Sequence, residues 1–150
     1  MKETGLPRFR ELDRAECEAV LARNQVGRIA YSFRDRVDIE PLHYAYADGW
    51  IYARTAPGAK LMTLAHNRWA AFQVDEVVGL FEWRSVVVHG AVYPVRSAEA
   101  GGDPALFDRA LAALRGVIPD SLTDADPVPF RTELFRIHAD EVTGREATPA

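Results

Sequence analysis

A short stretch between a strand and a helix combines two cationic side chains, a hydroxyl group and a glycine turn. It reads Tyr52-Ala53-Arg54-Thr55-Ala56-Pro57-Gly58-Ala59-Lys60-Leu61. A guanidinium, an ammonium, a hydroxyl and the free N–H groups of a helix start all bind phosphate oxygens. We therefore predict a phosphate-monoester site at Arg54, Thr55 and Lys60. The alternative is an ordinary strand-to-helix turn in which both cations are solvated.

Two further stretches carry groups that suit a ligand. Pro41 interrupts a predicted strand over residues 37–46, and a proline cannot donate to a strand ladder. An edge, a bulge or a place where the backbone faces a planar heteroaromatic ring with imide edges is expected there. Trp83-Arg84-Ser85 precedes a strongly apolar run, so a buried strand begins with groups able to form hydrogen bonds. Without other evidence, Arg84 is better interpreted as a surface residue at a strand start.

The elements that position these residues follow from caps, periodicity and turns. Asp13 and Glu16 form a capping box that begins a helix ending at Asn24. Asp48-Gly49 predicts a type I′ hairpin. A second helix is predicted over residues 60–66, and a third begins at Asp103-Pro104 and ends at Gly116. Strands are predicted from Val26 to Phe33, over 37–46, around Trp50–Tyr52, from Trp69 to Val74, from Phe81 to Val95 with a bend at Gly90, and from Glu133 to His138.

About six strands and three helices, mostly joined by hairpins, predict an antiparallel barrel rather than an alternating βαβ sheet. The first eleven residues are read as a surface arm and residues 142–145 as a turn with a short extension. The acidic pairs at 75–76 and at 124 and 126 are read as solvated loops.

Length and charge limit the classes of protein to consider. The 150 residues fit one domain spanning 1–150, and the net charge of −4 argues against nucleic acid or an anionic membrane as main partner. Cys17 is the single cysteine, so no intramolecular disulfide forms, and the four histidines lack metal-ligand spacing. No signal peptide or membrane-spanning run is evident, and a cytoplasmic location is the default expectation.

Over residues 10–146 the chain resembles the pyridoxamine 5′-phosphate oxidase-like family of split-barrel flavoproteins, in particular its nitroimidazole-resistance-type branch. The segments that carry the resemblance are Val26-Gly27-Arg28-Ile29-Ala30, Pro41-Leu42-His43-Tyr44, Ala56-Pro57-Gly58-Ala59-Lys60-Leu61, Phe72-Gln73-Val74-Asp75, Trp83-Arg84-Ser85-Val86-Val87-Val88-His89-Gly90, Phe135-Arg136-Ile137 and Thr143-Gly144-Arg145.

The resemblance implies a mainly β protein of the α+β class, with a six-stranded antiparallel split barrel that binds flavin mononucleotide (FMN) as a homodimer. By similarity, Arg54, Thr55 and Lys60 hold the phosphate. The same similarity implies that Pro41, Leu42 and His43 lie along the isoalloxazine ring. It also implies that Ser85, with Arg84 beside it, forms a hydrogen bond to the flavin. Trp83 would form a wall of the site. Two departures stand out. Ala59 occupies a position where the vitamin-oxidising enzymes carry a second basic residue, and acidic residues stand near a histidine position of the nitroimidazole branch.

The function expected from this resemblance is an FMN-dependent oxidoreductase. It would take hydride from a reduced nicotinamide and pass electrons to a small acceptor such as a quinone, a nitro compound or another flavin. The alternatives are a non-catalytic flavin- or haem-binding carrier or sensor, and a deazaflavin-dependent reductase.

Overall fold

The computed structural model describes residues 5–150, apart from the side chain of Ala59, as a twisted antiparallel sheet with three α-helices. No helix in the described part of the chain is long and apolar enough to cross a membrane. The elements, in chain order, are β1 (Arg8–Glu11), α1 (Arg14–Arg23), β2 (Val26–Phe33), β3 (Arg36–Ala47), β4 (Trp50–Thr55), α2 (Ala59–His66), β5 (Trp69–Gly79), β6 (Glu82–Val95), α3 (Pro104–Arg115), β7 (Glu133–His138) and β8 (Glu141–Thr148).

Six of the strands close a barrel. The pairings run β2–β3–β4–β7–β6–β5 and return from β5 to β2, all antiparallel. The predicted six-stranded antiparallel barrel is therefore confirmed. Closure leaves no exposed strand edge around most of the barrel, where an open sheet would have two.

The long strand β6 changes partner part-way along its length. Its residues from Trp83 to His89 pair with β8, and those from Val92 to Val95 pair with β7. Gly90 stands at the change, and a Cβ there would lie 1.8 Å from the backbone oxygen of His138. The predicted bend at Gly90 is a place where two backbones approach closely, which requires a residue without a side chain.

One end of the barrel is filled by α1. Asp13 Oδ1 accepts from Glu16 N at 2.8 Å while Asp13 N donates to Glu16 Oε1 at 3.2 Å, so the predicted capping box is present. Cys17, Val20 and Leu21 are fully buried in the barrel core. The other end receives α2, whose Leu64 joins the same core. The predicted helix boundary at Asn24 is also confirmed.

A second, smaller core lies outside the barrel wall. Tyr52, Val95 and Leu134 point outward from β4, β6 and β7, and Ala110 and Leu114 of α3 cover them. The chain between α3 and β7 then runs across the outside of β4 as an irregular loop. This loop is the element that distinguishes the surroundings of Arg54 from those of Thr55.

Several local expectations are wrong in a consistent way. The first four residues of the expected arm lie outside the described residues, but Arg8–Glu11 form a strand rather than a free arm. The expected turn at 142–145 lies within β8, which pairs with β1 and β6. Asp75 and Glu76 lie within β5 and are not loop residues. For β1 and β8, pairing with a sequence-distant strand overrides a locally polar composition. Asp75 and Glu76 pair instead with the neighbouring strand β6.

Candidate functional site

Strands β3 and β4 separate part-way along the barrel and open a gap. They pair only from Tyr44 opposite Ala53 to Ala47 opposite Trp50. From Arg36 to His43, β3 pairs with β2 alone among the described strands. Pro41 lies in this one-sided stretch, so the first of the three expected alternatives, an edge position, is the one present. The gap is the place where backbone and side chains of β3 are open to a ligand.

The ammonium of Lys60 lies in this gap and is largely removed from solvent, with 11% of its side chain exposed. Its Nζ donates to Thr55 Oγ1 at 3.0 Å and forms an ion pair with Glu40. Burial, together with the nearby charge of Arg131, lowers the pKa of Lys60 to about 8. The carboxylate of Glu40 contacts the ammonium, and a contact of this kind favours the charged form. Thr55 and Lys60 are therefore brought together as predicted.

The start of α2 next to Lys60 offers backbone donors. Its N-cap is Gly58, at φ +154°, and no side chain caps the helix. The first N–H groups of a helix have no partner within the helix. A helix start without a side-chain cap leaves such donors available to an anion.

Arg54 does not join Lys60. Neighbouring residues of a strand point to opposite faces, and Arg54 points outward beneath the irregular loop. Its Nη1 and Nη2 donate to the two carboxylate oxygens of Asp126 at 2.5 and 2.8 Å, and Nη1 also donates to the carbonyl of Arg131 at 3.3 Å. The expected convergence of Arg54 with Thr55 and Lys60 is therefore corrected: the guanidinium is already satisfied by a buried carboxylate.

Asp126 is correspondingly not a solvated loop residue. Its side chain is 1% exposed, and it also accepts from Leu122 N at 2.8 Å and Val128 N at 3.0 Å. The hydrogen bonds from Arg54 are the largest cause that holds the pKa of Asp126 far below its usual range. Sequence reasoning missed this pair because the two residues are 72 positions apart.

Successive residues of β3 point to opposite sides of the barrel wall. Leu42 is buried in the core, so only its backbone faces outward, whereas Pro41 and His43 are exposed. Arg131, in the loop before β7, places Nη1 3.5 Å from Nδ1 of His43. No local spacing signals this arginine, because it stands in an irregular segment.

A polar band crosses the outer face of the sheet from β6 toward β3. Gln73 Nε2 donates to Ser85 Oγ at 3.1 Å, and Arg28 Nη1 contacts Gln73 Oε1 at 3.5 Å and Asp75 Oδ1 at 3.1 Å. Arg28 in turn stands opposite Pro41 in the β2–β3 register. Ser85 and Pro41 therefore share one face. The sequence offered Arg28 and Gln73 only as parts of a resemblance, without a role.

Trp83 and Ser85 also line a cavity of about 440 Å³ on the outer side of β6 and β8. Arg84, between them, points to the other face. Its Nε donates to Glu146 Oε2 at 2.6 Å, and its Nη2 lies 4.0 Å from Glu16. The expectation that Arg84 stands beside Ser85 at a ligand is corrected for the same reason as Arg54, namely strand alternation.

Nearly the whole chain matches the model of one protein family. The family model described as pyridoxamine 5′-phosphate oxidase matches residues 13–146. The chain belongs to this family. The match spans every helix and strand of the closed barrel, so family membership and the described fold agree.

Individual relatives extend this result. An FAD-binding protein from Mesorhizobium loti has 31% identical residues and a TM-score of 0.76, over 93% of this chain and 99% of that chain. An uncharacterised protein from Rhizobium meliloti (strain 1021) is 26% identical over 147 residues, which is 92% of this chain and 95% of that protein. A candidate 5-nitroimidazole antibiotic resistance protein from Bacteroides thetaiotaomicron shares the fold, at 15% identity and a TM-score of 0.68, over 98% of this chain and 95% of that chain.

Proposed function

We propose that this member of the family binds FMN between two copies of itself and serves as an oxidoreductase. The observation that carries the proposal is the largely buried ammonium of Lys60, which donates to Thr55 at the open gap between β3 and β4. Removing a lysine from water is costly unless an anion or another partner compensates it. Glu40 already supplies part of that compensation, and a phosphate monoester at this gap would add a second anion beside it. The similarity to an FAD-binding protein supports a flavin as the ligand.

The donor set at the gap fits a phosphate. Lys60 offers a charge-assisted hydrogen bond, Thr55 a hydroxyl, and the uncapped start of α2 its backbone N–H groups. Glu40 opposes an anion, so Lys60 has to be shared between the carboxylate and the phosphate. Gly58 leaves open space at the turn, since nothing lies within 4 Å of the position a Cβ would take.

The outer face next to the gap suits a planar ring with a polar edge. Pro41 and His43 give an exposed surface on β3, and the backbone of Leu42 lies between them. Ser85 at the far end of the polar band can exchange its bond from Gln73 for one to a ring carbonyl or nitrogen. A bound flavin supplies hydride and one-electron transfer. The residues of this chain would bind and orient it, and Trp83 lines the adjoining cavity.

A second copy of the chain is the proposed cover for this face. Apolar side chains are exposed across it on β3 and β5, the two strands that flank β2: Val37, Ile39, Trp69 and Val77. Exposed apolar patches of this kind are typical of interaction surfaces. A homodimer would bury them and enclose the ring, so that each site is lined by both subunits.

For the reaction we propose hydride uptake from a reduced nicotinamide and delivery to a quinone, a nitro compound or another flavin. Protein purified without added cofactor should show a flavin spectrum rather than a haem or deazaflavin spectrum. Chromatography of the extracted cofactor then decides between FMN and FAD. Steady-state oxidation of NADH and NADPH with quinone and nitro acceptors tests turnover.

Two results would contradict parts of this proposal. Protein that is colourless and takes up neither FMN, FAD nor riboflavin would contradict flavin binding itself. Protein that retains flavin but shows no turnover with any donor and acceptor pair would instead be a flavin carrier or sensor.

A further inference from the structure

The phosphate site proposed above is short of positive charge. Glu40 contacts the ammonium of Lys60, so the two charges largely compensate each other before any phosphate arrives. Residue 59, directly before this lysine, is alanine and brings no charge. Arg54 is engaged by Asp126. A phosphate at the gap therefore needs a cation from another part of the chain.

Arg131 is the cation that the fold brings there. Strand β7 begins at Glu133, which pairs with Thr55, so Arg131 stands two residues before the level of the Thr55 hydroxyl. Its Nη1 reaches His43 on the opposite side of the gap, and its charge lowers the pKa of Lys60. Within residues 5–150 no carboxylate lies within 4 Å of the Arg131 guanidinium. Two neighbouring cations, with one carboxylate in contact with Lys60, leave a net positive charge that favours a bound anion.

The backbone at Arg131 is held by a buried ion pair. Arg54 donates to the carbonyl of Arg131 and, through both Nη atoms, to Asp126. Asp126 itself accepts from the N–H groups of Leu122 and Val128, which closes the loop on itself. A loop without strand pairing is thereby fixed to the barrel wall at two points, five residues apart.

We propose that Arg131 is the second phosphate-binding cation of this site and that the Arg54–Asp126 pair is the device that positions it. The inference rests on the proposed function, since it names a further residue for the same phosphate. Arg54 then contributes to phosphate binding through the loop and does not touch the phosphate.

The test compares FMN with riboflavin, which has the same ring and no phosphate. Dissociation constants are measured by quenching of flavin fluorescence on the full chain, for the unchanged protein and for Arg131→Ala, Arg131→Lys and Arg109→Ala. Arg131→Ala should raise the dissociation constant of FMN about tenfold or more, because one charge-assisted hydrogen bond is lost. It should change the dissociation constant of riboflavin less than about twofold. Arg131→Lys should restore part of the FMN affinity. Arg109, exposed on α3, is the matched control and should change neither.

The outcomes separate this inference from the function it rests on. If the unchanged protein binds FMN and Arg131→Ala binds it equally well, Arg131 is not a phosphate ligand while flavin binding stands. If FMN and riboflavin weaken together, Arg131 acts on the ring or on the fold and the inference is overturned. If the unchanged protein binds neither, the proposed function itself fails.

The positioning device is tested by a cycle of single and double variants. Asp126→Asn should lower the affinity for FMN but not the affinity for riboflavin. In a protein that already carries Arg131→Ala, adding Asp126→Asn should not lower the FMN affinity further. Equal losses with and without Arg131 would show that Asp126 acts independently of it. Should Asp126→Asn not fold, Arg54→Lys replaces it, because it keeps a charge for Asp126 and removes the planar donor that reaches the Arg131 carbonyl.

Discussion

Arg54 and Asp126 form a bidentate ion pair between the barrel wall and the loop before β7. Their side chains are 4% and 1% exposed, and the two N–O distances are 2.5 and 2.8 Å. Burial of such a pair removes the hydration of both side chains. Removing either partner would therefore leave the other as a buried charge without compensation. It joins residues that lie on different structural units, and its loss would affect both the loop and the wall.

Replacing Asp126 by alanine should lower the free energy of unfolding by about 3–5 kcal/mol, because Arg54 would keep a buried charge without a partner. Asp124, exposed on the same loop, is the matched control, and its alanine variant should stay within about 0.5 kcal/mol of the unchanged protein. Urea denaturation followed by tryptophan fluorescence measures both. Equal stability of the two variants would show that the pair is dispensable.

The ammonium of Lys60 should titrate with a pKa of about 8, since burial and Arg131 disfavour its charged form. The unfolded chain therefore binds more protons between that value and the ordinary lysine pKa of about 10.4, so this group makes stability rise with pH across that window. NMR titration of ¹³C-labelled lysine measures the pKa directly. Lys2 is the only other lysine in the sequence, and the Lys60→Arg variant identifies which of the two NMR signals belongs to Lys60. Glu40→Gln should lower the value further and Arg131→Ala should raise it; an ordinary pKa in the unchanged protein would contradict the described burial.

A charge on the outer face should disrupt the proposed homodimer. Ile39 is 68% exposed on that face, and Ile39→Glu should convert the dimer to monomer because a second copy would have to bury the carboxylate. Met62, also 68% exposed but on α2, is the control, and Met62→Glu should stay dimeric. Light scattering coupled to size exclusion gives the mass. A monomeric unchanged protein that still binds flavin would remove the shared site from the proposal.

Neighbouring residues 84 and 85 should give opposite phenotypes. Ser85 lies on the outer face, so Ser85→Ala should weaken FMN and riboflavin alike by several-fold and leave stability nearly unchanged. Arg84 bonds to Glu146 on the other face, so Arg84→Ala should lower stability by about 1 kcal/mol and leave flavin affinity unchanged. Flavin titration and urea denaturation of both variants distinguish the faces. A loss of affinity in Arg84→Ala alone would reverse the assignment.

Much of the local structure was accessible from the sequence. The capping box at Asp13 and Glu16 was predicted and is present, and so is the Asp48-Gly49 hairpin, whose residues have φ of 51° and 82° as a type I′ turn requires. These features involve residues within a few positions of one another. The opposite directions of Arg54 and Thr55 also follow from the sequence once both are assigned to a strand.

The site was only partly accessible. The sequence by itself determined that Thr55, a glycine turn and Lys60 meet, because they lie within six positions and a strand-to-helix turn fixes their geometry. Only the tertiary structure decided that Arg54 donates to Asp126 and that Arg131 contacts His43, which is 88 positions away in the sequence. Contacts between distant segments depend on how strands pair and where a loop without periodicity crosses the barrel, and no local pattern encodes that.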